Sequence, residues 1–148
     1  MPLEILPLLV AAFSGVAMAV QGSINSALGK VVGLLESTFI VHLVGLLLVL
    51  LLLFVFRLGD GNLVEIQKAP WYSYFGGVLG VIIIYSVVLA IPKVGVAPAT
   101  TAIILGQVFT AGLIDHFGLF GLKKITFNYY KVLGVLLMAG GSWLVLKK

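Results

Sequence analysis

The sequence predicts an all-α integral membrane protein with five transmembrane helices. Of its 148 residues, 61% are hydrophobic and only 9% are charged, and the mean hydropathy is +1.24. Soluble domains carry about 25% charged residues, so a chain this apolar is a membrane protein. At about 20 residues per spanning helix, the length accommodates four or five spans. We expect a single transmembrane domain, residues 1–148.

The predicted helices follow the apolar runs of the chain and cover about residues 2–28, 37–56, 71–91, 97–117 and 127–146. No basic residue precedes the first run and more apolar runs follow it, so we expect a retained span and not a cleaved signal. The second run contains the least polar segment, LVGLLLVLLLLFVF, and the third begins at the aromatic interface pair Trp71-Tyr72. Pro92, Gly95 and Pro98 predict a tight, non-helical turn before the fourth run. The runs do not alternate polar and apolar residues, which excludes a membrane β-barrel.

Five spans place the two termini on opposite sides of the membrane, and the basic residues are divided almost evenly between the sides. The N-terminal side carries five and the other side four of the nine Lys and Arg: Arg57, Lys68, Lys123, Lys124 and Lys131 against Lys30, Lys93, Lys147 and Lys148. Orientation is set by a bias in these residues, and this bias is minimal. One hypothesis is insertion in both orientations and an antiparallel homodimer. The other is a fixed orientation with the N-terminal side in the cytoplasm.

The first span carries a polar stripe, which is unusual in a helix meant for lipid. Ser14, Gln21 and Asn25 share one face at helical spacing, and the fourth span repeats the pattern with Thr100 and Gln107. Lipid offers an amide no hydrogen-bond partner, so these side chains must face protein or water. One interpretation is a substrate-binding cavity near mid-membrane, lined by these five residues. The other is interhelical hydrogen bonding alone, worth about 0.6 kcal/mol per bond.

Three ionisable residues in or near the spans are candidates for proton or ion coupling. Glu36 begins the second span, where a carboxylate also suits the positive end of the helix dipole. His42 lies more than one turn deeper, and a hydrogen-bonded structural role is its alternative. Asp115 is near a helix C-terminus, where the dipole disfavours an acid. A structural ion pair with Lys123, Lys124 or Lys131 is therefore the main interpretation of Asp115.

Paired glycines in the third and fifth spans predict helix packing, within the chain or between two chains. Gly76 and Gly80 form a GxxxG pair, and Gly134 and Gly141 are seven residues apart on one face. The motifs of enzymes are missing: there is no metal-ligand spacing, no phosphate-binding glycine loop and no serine with a plausible base. The chain has no cysteine. We therefore expect no enzyme activity, no cofactor and no bound metal.

The block AIILGQVFTAGLIDHFGLFG, residues 102–121, resembles a signature of the YdcZ-like, five-helix branch of the drug/metabolite transporter superfamily. QGSINSALGK at 21–30 and ESTFIVHLVG at 36–45 resemble the first two helices of that family, and KVLGVLLMAGGSWLV is similar to the closing helix of the superfamily. The resemblance covers nearly the whole chain. It implies a five-helix unit that occurs singly, as paired genes of opposite orientation, or fused into ten helices. It also implies antiparallel dimers, with the substrate site between the two halves.

The same resemblance places the polar residues of this chain at the family's polar positions: Gln21, Asn25, Glu36, Gln107 and Asp115. The related small multidrug exporters carry a glutamate in the middle of the first helix, which exchanges protons for cationic drugs. This chain has uncharged amides there, which argues against that exchange unless Glu36 reaches inward.

We therefore predict an inner-membrane secondary transporter. It would move a small polar solute by alternating access, with the substrate site between two inverted protomers. A passive pore on the same dimer and a non-transporting assembly subunit are the alternatives. The expected partners are the lipid bilayer, a second copy or an oppositely oriented paralogue, and the small-molecule substrate. No nucleic-acid partner is expected, because the basic residues lie at the ends of apolar runs.

Overall fold

A computed structural model describes residues 5–126 and 128–147, and these residues form five membrane-length helices. The helices are α1 (Ile5–Val32), α2 (Leu34–Leu50), α3 (Phe75–Val94), α4 (Val96–Phe117) and α5 (Tyr129–Leu146). A π-helical turn, Leu51–Val55, prolongs α2, and a 3₁₀ turn, Trp71–Tyr74, precedes α3. With these extensions each helix is long and apolar enough to cross a bilayer. The predicted all-α, five-span fold class is confirmed. The predicted starts at residues 2 and 127 lie outside the described residues.

The link between α1 and α2 is a single residue, Gly33, whereas the predicted helix bounds, residues 28 and 37, left a longer connection. Its backbone angles, φ 106° and ψ 160°, lie in a region that a side chain rarely tolerates. The Gly33 amide donates to the Gly29 carbonyl at 3.1 Å, and the Gly33 carbonyl accepts from the Ser37 amide at 3.0 Å. The glycine therefore reverses the chain direction while the hydrogen-bond ladder continues on both sides of it.

The link between α3 and α4 is also one glycine, and the non-helical turn predicted from Pro92, Gly95 and Pro98 is confirmed only at Gly95. Pro92 lies inside the last turn of α3. A proline there forfeits one hydrogen bond, to the Val88 carbonyl four residues earlier, and only two helical residues follow it. Gly95 then breaks the helix with φ 93° and ψ 164°. Pro98 follows in the first turn of α4, where proline is well tolerated.

The chain divides into two compact units, one ending at Lys93 and the other beginning at Val94. In the first unit α1 packs against α2, and glycines of α1 face α3. In the second unit α4 packs against α5. Gly118 ends α4 in the left-handed conformation, and the Ile125 amide donates to the Asp115 carbonyl at 2.8 Å, which returns the loop to the helix end.

Among the buried residues that the structure describes, polar residues outnumber hydrophobic ones, which is unlike a soluble domain. The buried polar residues are Asn25, Ser26, Ser37, Thr38 and Ser142, whereas Val88, Ile91 and Ala99 are the buried hydrophobic ones. Large apolar side chains on all five helices are exposed. Burying leucine gains nothing when the solvent is lipid, so helices in membranes associate through small and polar residues.

Candidate functional site

Four polar residues of the first unit form what we call the buried polar set: Asn25 and Ser26 on α1, and Ser37 and Thr38 on α2. Their exposed fractions are 6%, 3%, 0% and 2%. Of these, only Asn25 was singled out from the sequence as a substrate-binding candidate. Along α1, Asn25 is eight residues from the Gly33 turn, which is about 12 Å of helix.

Two glycines of α1 make this burial possible, because they let α3 approach the helix backbone. A Cβ at Gly22 would lie 3.0 Å from Val87 Cγ1 and 3.1 Å from Ile91 Cδ1. A Cβ at Gly29 would overlap Val88 Cγ1 and lie 3.3 Å from Ser37 Oγ. Gly29 is therefore the point at which α1, α2 and α3 meet. Its neighbours one turn earlier, Asn25 and Ser26, are enclosed as a result.

The hydroxyl groups of Ser37 and Thr38 donate hydrogen bonds within their own helix, α2. Ser37 Oγ and Thr38 Oγ1 both donate to the Leu34 carbonyl at 2.9 Å. These hydroxyl oxygens therefore retain acceptor capacity only.

The carboxamide of Asn25 has no hydrogen-bond partner among residues 5–126 and 128–147. In that part of the chain, no buried side-chain nitrogen or oxygen is both inaccessible to solvent and without a hydrogen bond. The small surface that Asn25 keeps accessible therefore includes its amide. An amide that is nine-tenths enclosed, unbonded and still reachable can bind a ligand through both a donor and an acceptor.

His42 links α2 to α3. Its Nδ1 bonds the Thr38 carbonyl at 2.8 Å, and because a carbonyl can only accept, Nδ1 carries the proton. The other ring nitrogen, Nε2, faces Gly80, where a Cβ would lie 3.5 Å away. Gly80 therefore lies against the imidazole, within contact distance of an alanine methyl group as well. At Gly76 a Cβ would meet nothing within 4 Å.

Glu36 occupies the first turn of α2, with its carboxylate folded back over the Gly33 backbone. Gly33, the N-cap residue of α2, has no side-chain cap, and in the described part of the chain the Glu36 carboxylate caps no backbone amide. Glu36 lines a groove of about 750 Å³, which we call the α2–α3 groove. Its walls are Leu35, Glu36, Thr38, Phe39, Ile40, His42 and Val81. The groove brings together two of the three predicted coupling residues, Glu36 and His42.

The other predicted stripe residues are not enclosed with Asn25. Ser14 and Gln21 are exposed, and the Ser14 hydroxyl donates to the Ala11 carbonyl of its own helix at 2.7 Å. On α4, Thr100 is half-buried and Gln107 is exposed. The neighbouring Thr101 donates to the Ala97 carbonyl at 2.8 Å. The structure therefore divides the predicted stripe into one buried amide and two exposed ones.

Asp115 is half-buried near the end of α4, and its backbone carbonyl holds the following loop. Among residues 5–126 and 128–147, no lysine lies within 4.0 Å of its carboxylate, and the ion pair present is Lys68–Glu65, outside the five helices. The expected pairing of Asp115 with Lys123, Lys124 or Lys131 is therefore not formed there.

The glycines of α5 leave one surface of that helix open. A Cβ at Gly134 or Gly141 would meet nothing within 4 Å. Contact of this helix with a second chain stays a prediction.

Sequence reasoning passed over Ser26, Ser37 and Thr38 as site residues. Ser26 and Gly22 were visible as a small-residue strip beside the polar stripe. For α2 the only signal was a Ser-Thr pair four residues after a glycine.

Comparison with known proteins gives one family. Residues 6–144 match DMT_YdcZ, whose description reads "Putative inner membrane exporter, YdcZ". No curated protein and no solved structure matches the chain.

Proposed function

Since the chain belongs to the DMT_YdcZ family, we propose that it exports a small polar solute by alternating access, with the substrate held between two inverted copies. The family is one of exporters and not of enzymes. The chain is a multi-pass protein of the inner membrane and, in general terms, a membrane transporter. The solute class, the mechanism and the dimer belong to the proposal.

The observation that carries the proposal is the enclosed, unbonded amide of Asn25. An amide that serves only to hold helices together would be bonded to a neighbouring helix. A ligand-binding amide is left open for its ligand, which fits what Asn25 presents.

Two exposed amides support the presence of a second copy. Gln21 is 12 residues from the Gly33 turn, and Gln107 is 12 residues from the Gly95 turn. Each is therefore about 18 Å of helix from its turn, deep in a hydrocarbon layer of about 30 Å. An amide facing lipid at that depth has no partner. An antiparallel copy would offer a partner to an exposed amide and would supply the inverted repeat that larger transporters encode in one chain.

For coupling, we propose Glu36 as the proton- or cation-binding group, with His42 as its neighbour in the α2–α3 groove. Glu36 and His42 both border that groove. Asp115 is a second candidate, because no lysine of the described residues neutralises it.

The function is tested in two steps. Cells overexpressing the protein are compared with control cells by mass spectrometry of the medium, and the solute that accumulates outside is then loaded into proteoliposomes. We expect saturable efflux from unaltered protein and its loss in Gln21→Ala and Asn25→Ala. Ser23→Ala is the matched control on α1, because its hydroxyl is already bonded to the Ala19 carbonyl at 2.9 Å. Unchanged efflux in both amide variants would remove the amides from the mechanism.

The same assay separates the alternatives. Alternating access binds one solute and changes conformation in each cycle, so its rate saturates; flux that does not saturate and lies far above about 10³ per second, the rate of a millisecond conformational change, would indicate a pore. No flux, together with a protein partner on purification, would indicate an assembly subunit. C-terminal reporters active only in the cytoplasm or only outside test the dimer. Strong signal from both supports dual insertion, and signal from one fixes a single orientation.

A further inference from the structure

The net positive charge of this protein comes from its second unit. That unit begins at Val94 and contains five lysines and one acid, Asp115, whereas the first unit contains four basic and four acidic residues. No acid follows Asp115 in the sequence. Two of the five lysines, Lys123 and Lys124, are adjacent in the connection between α4 and α5. We call residues 118–126 of this connection the α4–α5 loop.

Both lysines of the α4–α5 loop are exposed and have no counter-ion in the part of the chain that the structure describes. No carboxylate of residues 5–126 and 128–147 lies within 4.0 Å of either ammonium group. Lys68, in the connection between α2 and α3, is by contrast paired with Glu65. Two adjacent ammonium groups without an acid are therefore available to an external anion.

The loop backbone holds these lysines in a defined place. The Ile125 amide donates to the Asp115 carbonyl at 2.8 Å, which ties the loop to the last turn of α4. A Cβ at Gly118 would lie 3.3 Å from Lys124 Cβ and 3.2 Å from the Leu122 carbonyl oxygen. The loop is thus packed against the end of α4. A surface that is already ordered loses less entropy when it binds a ligand.

The same loop exposes large apolar side chains where α4 ends. Phe117, Leu119 and Leu122 are 62%, 43% and 57% exposed. Phe120 is also exposed, and its φ of 58° is a left-handed conformation that is rare for a bulky residue. Apolar surface is unfavourable in water and favourable among acyl chains. Because α4 is long and apolar enough to cross a bilayer and ends at Phe117, these side chains follow directly on the hydrocarbon layer.

We propose that the α4–α5 loop binds an anionic phospholipid. The ammonium groups of Lys123 and Lys124 donate to the headgroup phosphate, and the acyl chains pack against Leu119 and Leu122. A zwitterionic headgroup brings its own cation, which competes with the lysines for the phosphate. A free phosphate or an acidic peptide would satisfy the lysines and leave the apolar side chains in water. The binding requires neither the export cycle nor a second copy of the chain.

The test measures which lipid lies beside the loop. The full chain carries Leu122→Trp as its one tryptophan, with Trp71→Phe and Trp143→Phe, and is reconstituted into mixed bilayers of phosphatidylglycerol and phosphatidylcholine. Either the first or the second lipid has brominated acyl chains, which quench tryptophan fluorescence on contact. The two series give the affinity of phosphatidylglycerol relative to phosphatidylcholine at the loop. We expect a ratio of roughly 10, the scale of two lysines at an anionic surface with partial screening.

Two double variants of this reporter chain test the role of the lysines. Lys123→Gln with Lys124→Gln should bring the ratio close to unity. Lys30→Gln with Lys93→Gln is the matched control, because it removes the same charge from the ends of α1 and α3, and it should leave the ratio unchanged. Equal losses in the two double variants would contradict the proposal, since the effect would then come from overall charge.

Three further results come from the reporter chain with all its lysines, so they do not depend on how a lysine variant folds. At about 1 M NaCl, where the Debye length is about 3 Å, the ratio should fall several-fold. An excess of inorganic phosphate at constant ionic strength should leave the ratio unchanged. A ratio near unity, a ratio insensitive to salt, or displacement of the lipid by phosphate would each overturn the proposal. Absence of quenching by either lipid would also overturn it, because water or protein would then cover the loop.

Discussion

Three glycines along α1 offer a graded test of how the first unit is packed. At Gly15 an added Cβ would meet nothing within 4 Å. At Gly22 it would lie 3.0 Å from Val87 Cγ1 and 3.1 Å from Ile91 Cδ1. At Gly29 it would overlap Val88 Cγ1, well inside the roughly 3.5–4.0 Å at which two carbons attract. Alanine at each position should therefore reveal how closely α3 approaches.

The magnitude follows from comparing the three variants with one another. Each Gly→Ala change gains about the same helix propensity, close to 1 kcal/mol, so that gain cancels between positions. Overpacking costs typically 1–3 kcal/mol. At Gly29 the obstructing side chain, Val88, is fully buried and β-branched, so it cannot rotate away. We expect Gly29→Ala to be about 2 kcal/mol less stable than Gly15→Ala.

At Gly22 one of the two obstructing atoms, Ile91 Cδ1, is the far end of a flexible side chain. Gly22→Ala should therefore fall between the other two variants.

The measurement is reversible unfolding of the purified chain in mixed micelles, followed by circular dichroism as SDS is added. A second-site change gives the decisive control, because Val88→Ala removes the atom that the new Cβ would strike. Gly29→Ala should cost less in the Val88→Ala background than in the unaltered chain, by about 1 kcal/mol or more. If Gly29→Ala were as stable as Gly15→Ala, the close contact of α1 and α3 described here would be wrong.

Further predictions concern single polar groups, each measured by the same unfolding transition. Asn25→Leu should raise stability by about 1 kcal/mol while abolishing export, because it removes an enclosed, unbonded amide; a loss of stability would instead indicate that the amide holds the helices together. Asn128→Ala should cost about 1 kcal/mol, since Asn128 Oδ1 caps α5 by accepting from the Lys131 amide at 3.0 Å. Asp115→Asn should change stability by less than about 0.5 kcal/mol, because no lysine of the described residues pairs with Asp115. A larger loss of stability would instead indicate that Asp115 does form an ion pair.

The spans were predictable from the sequence because hydropathy is read over some 20 residues and does not depend on tertiary contacts. The resemblance to the YdcZ-like family was likewise carried by local blocks of sequence, and the family match over residues 6–144 confirms it. The helix ends were less predictable. Gly33 and Gly95 each interrupt the helix for one residue, and sequence pattern does not distinguish such a glycine from one inside a longer loop.

The site was only partly predictable, because the polar stripe and the buried face of α1 do not coincide. Gln21 and Asn25 are one turn apart and share a face by periodicity, yet Gln21 is exposed and Asn25 is buried. The buried face is set by Gly22 and Gly29, where α3 approaches. Small residues at such spacing are the general signal for a helix contact in membranes. A prediction based on Gly22 and Gly29, and not on the amides, would have identified the buried face of α1 correctly.

The one-residue link at Gly33 limits how α1 and α2 can move. A longer loop would let the two helices slide past each other, but a single glycine held by hydrogen bonds on both sides leaves no slack. In any rocking motion of the protein, α1 and α2 are therefore expected to move together as one rigid body. The Asn25 amide is on α1 and the Glu36 carboxylate is on α2. A tilt that changes the orientation of one group therefore changes the orientation of the other.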